Sequence, residues 1–198
     1  MRHATILGAI AALGMSSAAL AAQGVDYTFV EGGYTYGEQA GGLMDGNGYR
    51  IAASLELPAN LIVAASYRHM NYSGLPDMKA TSAGLGYKWV LGDSFDIISS
   101  ISYERNELFG NHETGLGLQL GMRGRVTDKV QLSASLGYVD ADFPRHSFAV
   151  SAGARRYFSN PALSVALDVY KGTLWGFTNG DETLFTLSVR YDFGKLFH

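Results

Sequence analysis

The sequence predicts an all-β fold: a closed, antiparallel, up-and-down transmembrane β-barrel of about ten strands, or else about eight. Three observations carry this. The run from Leu184 to Phe193 sets Phe185, Leu187, Val189, Tyr191 and Phe193 on one face, with Thr186, Ser188, Arg190 and Asp192 on the other. That is period two without an error. Earlier runs repeat the alternation with charged residues on the wet face, which suits lipid outside and a polar interior. The connections alternate too, generally longer and more charged after odd-numbered strands and three or four residues after even-numbered ones. Short periplasmic turns and longer outer loops are the asymmetry of such barrels, and an even strand count returns both termini to the periplasm.

The chain has 198 residues, enough for one domain. Arg2 and His3 make a short basic start, Ala4 to Met15 an apolar stretch, and Ala19-Leu20-Ala21 an A-x-A site. Residues 1–21 are therefore expected to be a cleaved secretory signal peptide, and 22–198 the barrel. The apolar stretch is shorter than the ~20 residues of a spanning helix. Cysteine is absent, which excludes disulfides, thiol nucleophiles, thiolate metal sites and a lipoprotein anchor. A formal charge of −3, or −4 without Arg2, excludes a basic nucleic-acid binder. Mean hydropathy is +0.03, as expected where lipid-facing and lumen-facing residues cancel.

Taken in order, the first strand is Tyr27 to Tyr36, weakened by Gly32 and Gly33, and Gly37 to Gly48 reads as a loop. Tyr49 to Leu57 follows, with Tyr49, Ile51, Ala53 and Leu55 opposite Arg50, Ser54 and Glu56. Pro58-Ala59-Asn60 turns the chain into Leu61 to Tyr72, and Ser73 to Ala80 is a second loop. Thr81 to Leu91 sets Leu85, Tyr87 and Trp89 against Ser82, Gly86 and Lys88. After Gly92-Asp93-Ser94 comes Phe95 to Arg105, with Asp96 and Glu104 on its wet face. A loop from Asn106 to Glu113 leads to Thr114 to Val126, where leucines oppose Gly115, Gly117, Gln119 and Arg123. Thr127-Asp128-Lys129 turns into Val130 to Asp140, and Ala141 to Arg145 links to His146 to Phe158. Ser159 to Ala162 turns into Leu163 to Tyr170, and Lys171 to Thr183 is the last loop. A soluble lipocalin-like barrel is the alternative; it would bury the apolar rows inside and wet the charged ones.

The alternation puts Arg50, Arg68, Lys88, Arg123, Arg125, Arg155 and Arg190 in the lumen, with Glu31, Glu56, Asp96, Glu104, Asp168 and Asp192. A charge inside a low-dielectric wall is costly unless paired, so near balance points to a lumen braced by ion pairs. Narrow barrels favour this, since ~8 strands leave an interior that side chains fill and aqueous channels need ~16. Glu104 and Asp96 are the expected partners of Arg123. Tyr49, Tyr67, Tyr87, Trp89, Phe95, Tyr103, Tyr138, Phe148, Tyr191 and Phe193 fit interfacial girdles. His69 and Arg105 face outward near the outer rim, at the height of lipopolysaccharide phosphates. For catalysis the loops offer His112 beside Glu113, Asp140 and Asp142 near His146, and Asp181 with Glu182. None comes with a fixed nucleophile or oxyanion donor. Asp45-Gly46-Asn47-Gly48 lacks the later bidentate Glu of a calcium loop, and Gly115, Gly117 and Gly121 lack dinucleotide-binding spacing. No catalytic residue, metal or cofactor is expected.

The opening Tyr27-Thr-Phe-Val-Glu-Gly-Gly-Tyr34 resembles the first strand of the Ax-type outer-membrane proteins, also named sulfation-dependent quorum factors. Gly84-Leu-Gly-Tyr-Lys-Trp89 and Ser102-Tyr-Glu-Arg105 are similar as well. The resemblance implies a ten-stranded outer-membrane barrel with no established catalytic residue. Tyr191-x-Phe193 is similar to the C-terminal insertion signal of bacterial outer-membrane barrels, although Gly194 to His198 follow it. The expected protein is a monomer of the outer membrane with a structural or surface-interaction role. Gly37 to Gly48 and Lys171 to Thr183 are its expected contact loops. Its expected partners are membrane lipid, lipopolysaccharide and the barrel-assembly machinery. A narrow porin for small solutes and a surface hydrolase are the rival functions.

Overall fold

The computed structural model describes residues 27–39, 44–74, 77–91, 95–108, 111–141, 147–160, 162–174 and 182–194. The expected signal peptide and the tail beyond Gly194 lie outside these described residues. The strands are β1 (Phe29–Gln39), β2 (Met44–Leu57), β3 (Leu61–Tyr72), β4 (Met78–Val90), β5 (Phe95–Leu108), β6 (Asn111–Thr127), β7 (Val130–Ala141), β8 (Ser147–Tyr157), β9 (Leu163–Leu174) and β10 (Glu182–Asp192). Each pairs antiparallel with its sequence neighbours, and β1 closes on β10. The barrel is thus closed with ten strands, and the eight-stranded alternative falls.

The apolar rows face outward. Leu85, Leu118, Leu136, Leu167 and Leu187 are each more than half exposed. A soluble barrel would hide such rows, so the lipocalin-like alternative falls too. At the end that carries both termini, Tyr87 meets Trp89 edge-on at 4.7 Å and Tyr191 meets Phe193 at 5.0 Å. At the opposite end Tyr49 lies 6.0 Å from Tyr67, and Tyr138 lies 5.0 Å from Phe148. Between these girdles the outer wall is mostly aliphatic, with Tyr34 among its exceptions, the surface that a bilayer solvates.

The expected loops are shorter than the alternation implied. β1 and β2 stay paired out to Gln39 opposite Met44, so most of Gly37 to Gly48 is strand. β5 and β6 pair out to Leu108 opposite Asn111, which removes the loop Asn106 to Glu113. Likewise β4 begins at Met78, β9 runs to Leu174 and β10 begins at Glu182. The reason is that a ladder satisfies backbone N–H and C=O whatever the side chains. Polar and glycine-rich residues beyond the apolar belt therefore remain paired while losing the hydrophobic signal of a strand. At the other end the turn Pro58–Asn60 is tight, with Ala59 at φ 62° and Asn60 at φ 61°. β10 ends where Gly194 takes φ 76°, a left-handed conformation that glycine adopts without steric cost.

Candidate functional site: a braced lumen

At the centre of the lumen stands Glu31, brought inward by β1. Arg155 Nη2 donates to its Oε2 at 2.5 Å, Arg190 Nε to the same oxygen at 2.9 Å, and Arg50 Nη1 to Oε1 at 3.4 Å. These arginines come from β8, β10 and β2. Arg190 stands directly opposite Glu31 in register, whereas Arg155 crosses the small β9 residues Ser164 and Ala166 to reach it. Arg155 Nη1 also donates to Ser164 Oγ at 2.9 Å. The Arg190 guanidinium covers the Phe29 ring at 3.6 Å, which gives the desolvated cation a π face. Asp168 and Asp192 lie within electrostatic reach of Arg155 and Arg190. A β-carbon at Gly153 would collide with the Asp168 carboxylate, so this glycine makes the carboxylate's room. A cavity among Arg123, Gln131, Ser133, Arg155 and Asp168 has about 10 Å³, roughly one water.

Towards the termini the lumen carries an aromatic layer. Tyr27, Ile62, Ile98 and Tyr157 form one buried cluster. Lys88 Nζ lies 5.0 Å from the Tyr27 ring and bridges Glu56 at 2.6 Å. Arg125 sits 5.1 Å over Tyr157, and Asp96 accepts from the Tyr27 hydroxyl at 3.4 Å. Above the Glu31 hub the wall is hydroxyl-rich: Thr35 meets Thr186 at 3.0 Å, and Gln119 donates to Ser135, which meets Ser151 at 2.7 Å. Further out, Ser102 donates to Glu104 at 2.6 Å and Tyr72 to Glu182 at 2.5 Å. Arg68 is in electrostatic reach of both carboxylates. Met70, Met78 and Leu184 are buried at the same height.

Every cation and carboxylate assigned to the lumen from alternation faces it, but two features differ from the sequence reading. Arg123 is not bonded to Glu104. Its Nη1 donates to Gln131 Oε1 at 3.1 Å, and its guanidinium lies 5.8 Å from the Tyr27 ring. Asp96 does stand opposite Arg123 in register, whereas Glu104 stands opposite Gly115, far along β5. Glu182, read as loop, is a buried lumen residue, which makes the named carboxylates equal in number to the named cations without pairing them one to one. Sequence reasoning also missed Tyr27, Phe29, Ile62, Ile98 and Tyr157 as lumen residues. Their signal was parity, since each is an even number of residues from an inward charge.

Among the described residues the rim groups do not assemble. His112 lies outward on β6 and Glu113 is its immediate neighbour, so the period of two sends them to opposite faces. Asp140 is exposed on β7, while Asp142, His146 and Asp181 fall outside the described residues. Asp45 to Gly48 lies on β2 with alternate residues facing opposite ways, so it does not wrap an ion. Among the described residues no three His, Cys, Asp or Glu gather as a metal site. His69 stacks on Tyr49 at 5.4 Å with its Nε2 3.2 Å from Asn71 Oδ1, and Arg105 is exposed.

No protein-family model matches the sequence, and neither does any curated protein. Solved structures do match. An outer-membrane channel from Pseudomonas putida F1 aligns at TM-score 0.55 and 13% identity, over 88% of this chain and 97% of that one. The KdgM porin in complex with disordered oligogalacturonate aligns at TM-score 0.50 and 15% identity, over 82% and 99%. The fold is that of outer-membrane β-barrels. At these identities the likeness concerns the fold alone.

Proposed function

We propose that this protein is a small monomeric barrel of the outer membrane whose lumen is closed by its own side chains. In this reading it acts as a structural or surface-interacting element and not as a pore. The observation that carries the reading is the Glu31 hub: three arginines from three strands converge on one carboxylate, and Glu31, Arg50, Arg155 and Arg190 are all buried. Paired charges that satisfy one another fill space and leave none of them free for a passing solute. Refolded protein in planar bilayers is expected to show no steady conductance. Discrete ohmic steps would overturn the closed-lumen reading and establish the second one, a narrow porin. That second reading draws on the small polar wall of Ser133 and Ser135 on β7 and Ser151 and Gly153 on β8, and on the porins and channels among the structural neighbours.

The same reading includes export by the signal peptide 1–21 and membership of the Ax-type family, resting on the short motifs quoted above. Its partners are membrane lipid and lipopolysaccharide, with the barrel-assembly machinery during insertion. Tyr191 and Phe193 are exposed on the lipid side, and Phe193 N still donates to Thr28 O at 2.8 Å. They form the outward aromatic end of the last strand, the feature an insertion signal needs. Phe193→Ala should therefore reduce the heat-modifiable band in the membrane fraction more than Phe197→Ala does. The reverse order would place the signal in the tail.

A further inference from the structure

On the outward face of β3 to β6, at the end away from the termini, the register gathers three basic side chains. His69 of β3 stands opposite Lys79 of β4, and Lys79 opposite Glu107 of β5. Two residues below Glu107, Arg105 stands between Thr81 of β4 and Thr114 of β6. Lys79 and Arg105 are therefore diagonal neighbours on one face, roughly 7–8 Å apart along the backbone ladder. The carboxylates beside them are held loosely. Glu107 meets Lys79 at 3.4 Å with both groups half-exposed, and exposed Asp77 meets His69 at 3.4 Å. Exposed pairs of that length contribute little and give way to a stronger anion. Arg105 is exposed and has no carboxylate opposite it in either ladder. Just below it the wall turns apolar. Tyr103 of β5 faces Leu116 of β6, each more than half exposed. Ala83 of β4 stands opposite Tyr103, and Ala53, Ala65 and Ala83 lie side by side in register on β2, β3 and β4, all exposed.

We propose that Arg105 and Lys79 bind the phosphate of a phosphorylated glycolipid in the outer leaflet, whose acyl chain lies over the alanine row beside Tyr103. The proposal rests on the outer-membrane reading with lipopolysaccharide as partner, and it is independent of whether the lumen is closed. A guanidinium at the border of lipid and water is best satisfied by an anion that the membrane supplies. Arg105 offers a planar fork that matches two phosphate oxygens, and Lys79 adds a point charge. The hydroxyls of Thr81 and Thr114 flank the fork and suit the remaining oxygens. The alanine row favours a lipid over free phosphate. Three adjacent alanines leave a shallow recess in a wall otherwise built from larger side chains, and that recess starts directly under the cations. This rim lies opposite the termini, on the outer side of such barrels, which selects the glycolipid leaflet.

The test titrates the protein, refolded in neutral detergent, with lipid A carrying its phosphates, with the dephosphorylated form and with phosphatidylglycerol. Native mass spectrometry counts the bound lipid after the heat-modifiable band confirms folding. Lipid A should bind at least about tenfold more tightly than its dephosphorylated form. Arg105→Gln combined with Lys79→Gln should abolish that preference, whereas Lys171→Gln, exposed on the outward face of β9, should keep it. Should the double variant not fold, Arg105→Gln alone serves, with a loss of at least about threefold expected. A preference that survives in the variant overturns the site. An equal loss in Lys171→Gln overturns it as well, since the attraction would then belong to the charge of the whole rim. Phosphatidylglycerol binding as tightly as lipid A, or displacement of lipid A by excess inorganic phosphate, overturns the glycolipid assignment. Absence of any heat-modifiable band from the membrane fraction sinks the outer-membrane reading, and the site with it.

Discussion

Glu31→Ala should destabilise the barrel by about 3–5 kcal/mol, the cost of stripping a buried charge of its partner. The cost falls on three guanidiniums at once, while Arg155 keeps Ser164, and Asp168 and Asp192 stay within electrostatic reach of Arg155 and Arg190. Arg155 and Arg190 both bond Glu31 Oε2, so without it they face each other and Arg50 across a buried interior. Phe29, packed under Arg190, shields that guanidinium on one side. Arg50→Ala should cost less, since its contact is the longest at 3.4 Å and Glu31 keeps two donors. Glu31→Gln should fall between them, retaining volume and one acceptor oxygen but not the charge. The urea midpoint of refolded protein in detergent reads all three. If Glu31→Ala unfolds at the wild-type midpoint, or Arg50→Ala is the more harmful, the hub is solvated and the bracing argument fails.

That hub marks the limit of what the sequence disclosed. Strand existence, inward and outward faces and the identities of the lumen charges are all local properties, carried by a period of two that each strand writes for itself. Which charge meets which is not local. It follows from register and closure, which bring β8 within reach of β1 although more than a hundred residues separate Arg155 from Glu31. Arg123 illustrates this. Proximity along β5 and β6 made Glu104 as good a candidate as Asp96, but register puts Glu104 opposite Gly115. Strand ends were illegible for a different reason. Beyond the apolar belt the ladder persists on backbone bonds alone, so Gly46, Gly48 and His112 look like loop and are paired as strand. Ile62 and Ile98 were overlooked because an inward row was read as polar throughout, whereas a narrow lumen needs apolar bulk as well as charge.

Depth along a single outward row gives the sharpest test of the membrane assignment. Leu187 is 57% exposed, midway along β10, opposite Tyr34 on β1 and Leu167 on β9. At the bilayer midplane Leu187→Arg should cost about 2–4 kcal/mol, because the guanidinium must be held in hydrocarbon or drag water to it. Thr183 lies on the same face four residues towards the outer rim, opposite Lys171 of β9. Thr183→Arg should therefore cost about 0–1 kcal/mol, the range for cations near the interface. Alternation alone makes Ser188 the natural tolerant neighbour, but it is buried in the lumen between Gly33 and Ala166. An arginine there would be overpacked beside Arg190, so Ser188 is no soft control. Urea midpoints in lipid vesicles separate the outcomes. Equal small losses at Leu187 and Thr183 would mean that water already bathes both, as on a soluble barrel. A large loss at Thr183 with little at Leu187 would displace the apolar belt towards the outer rim.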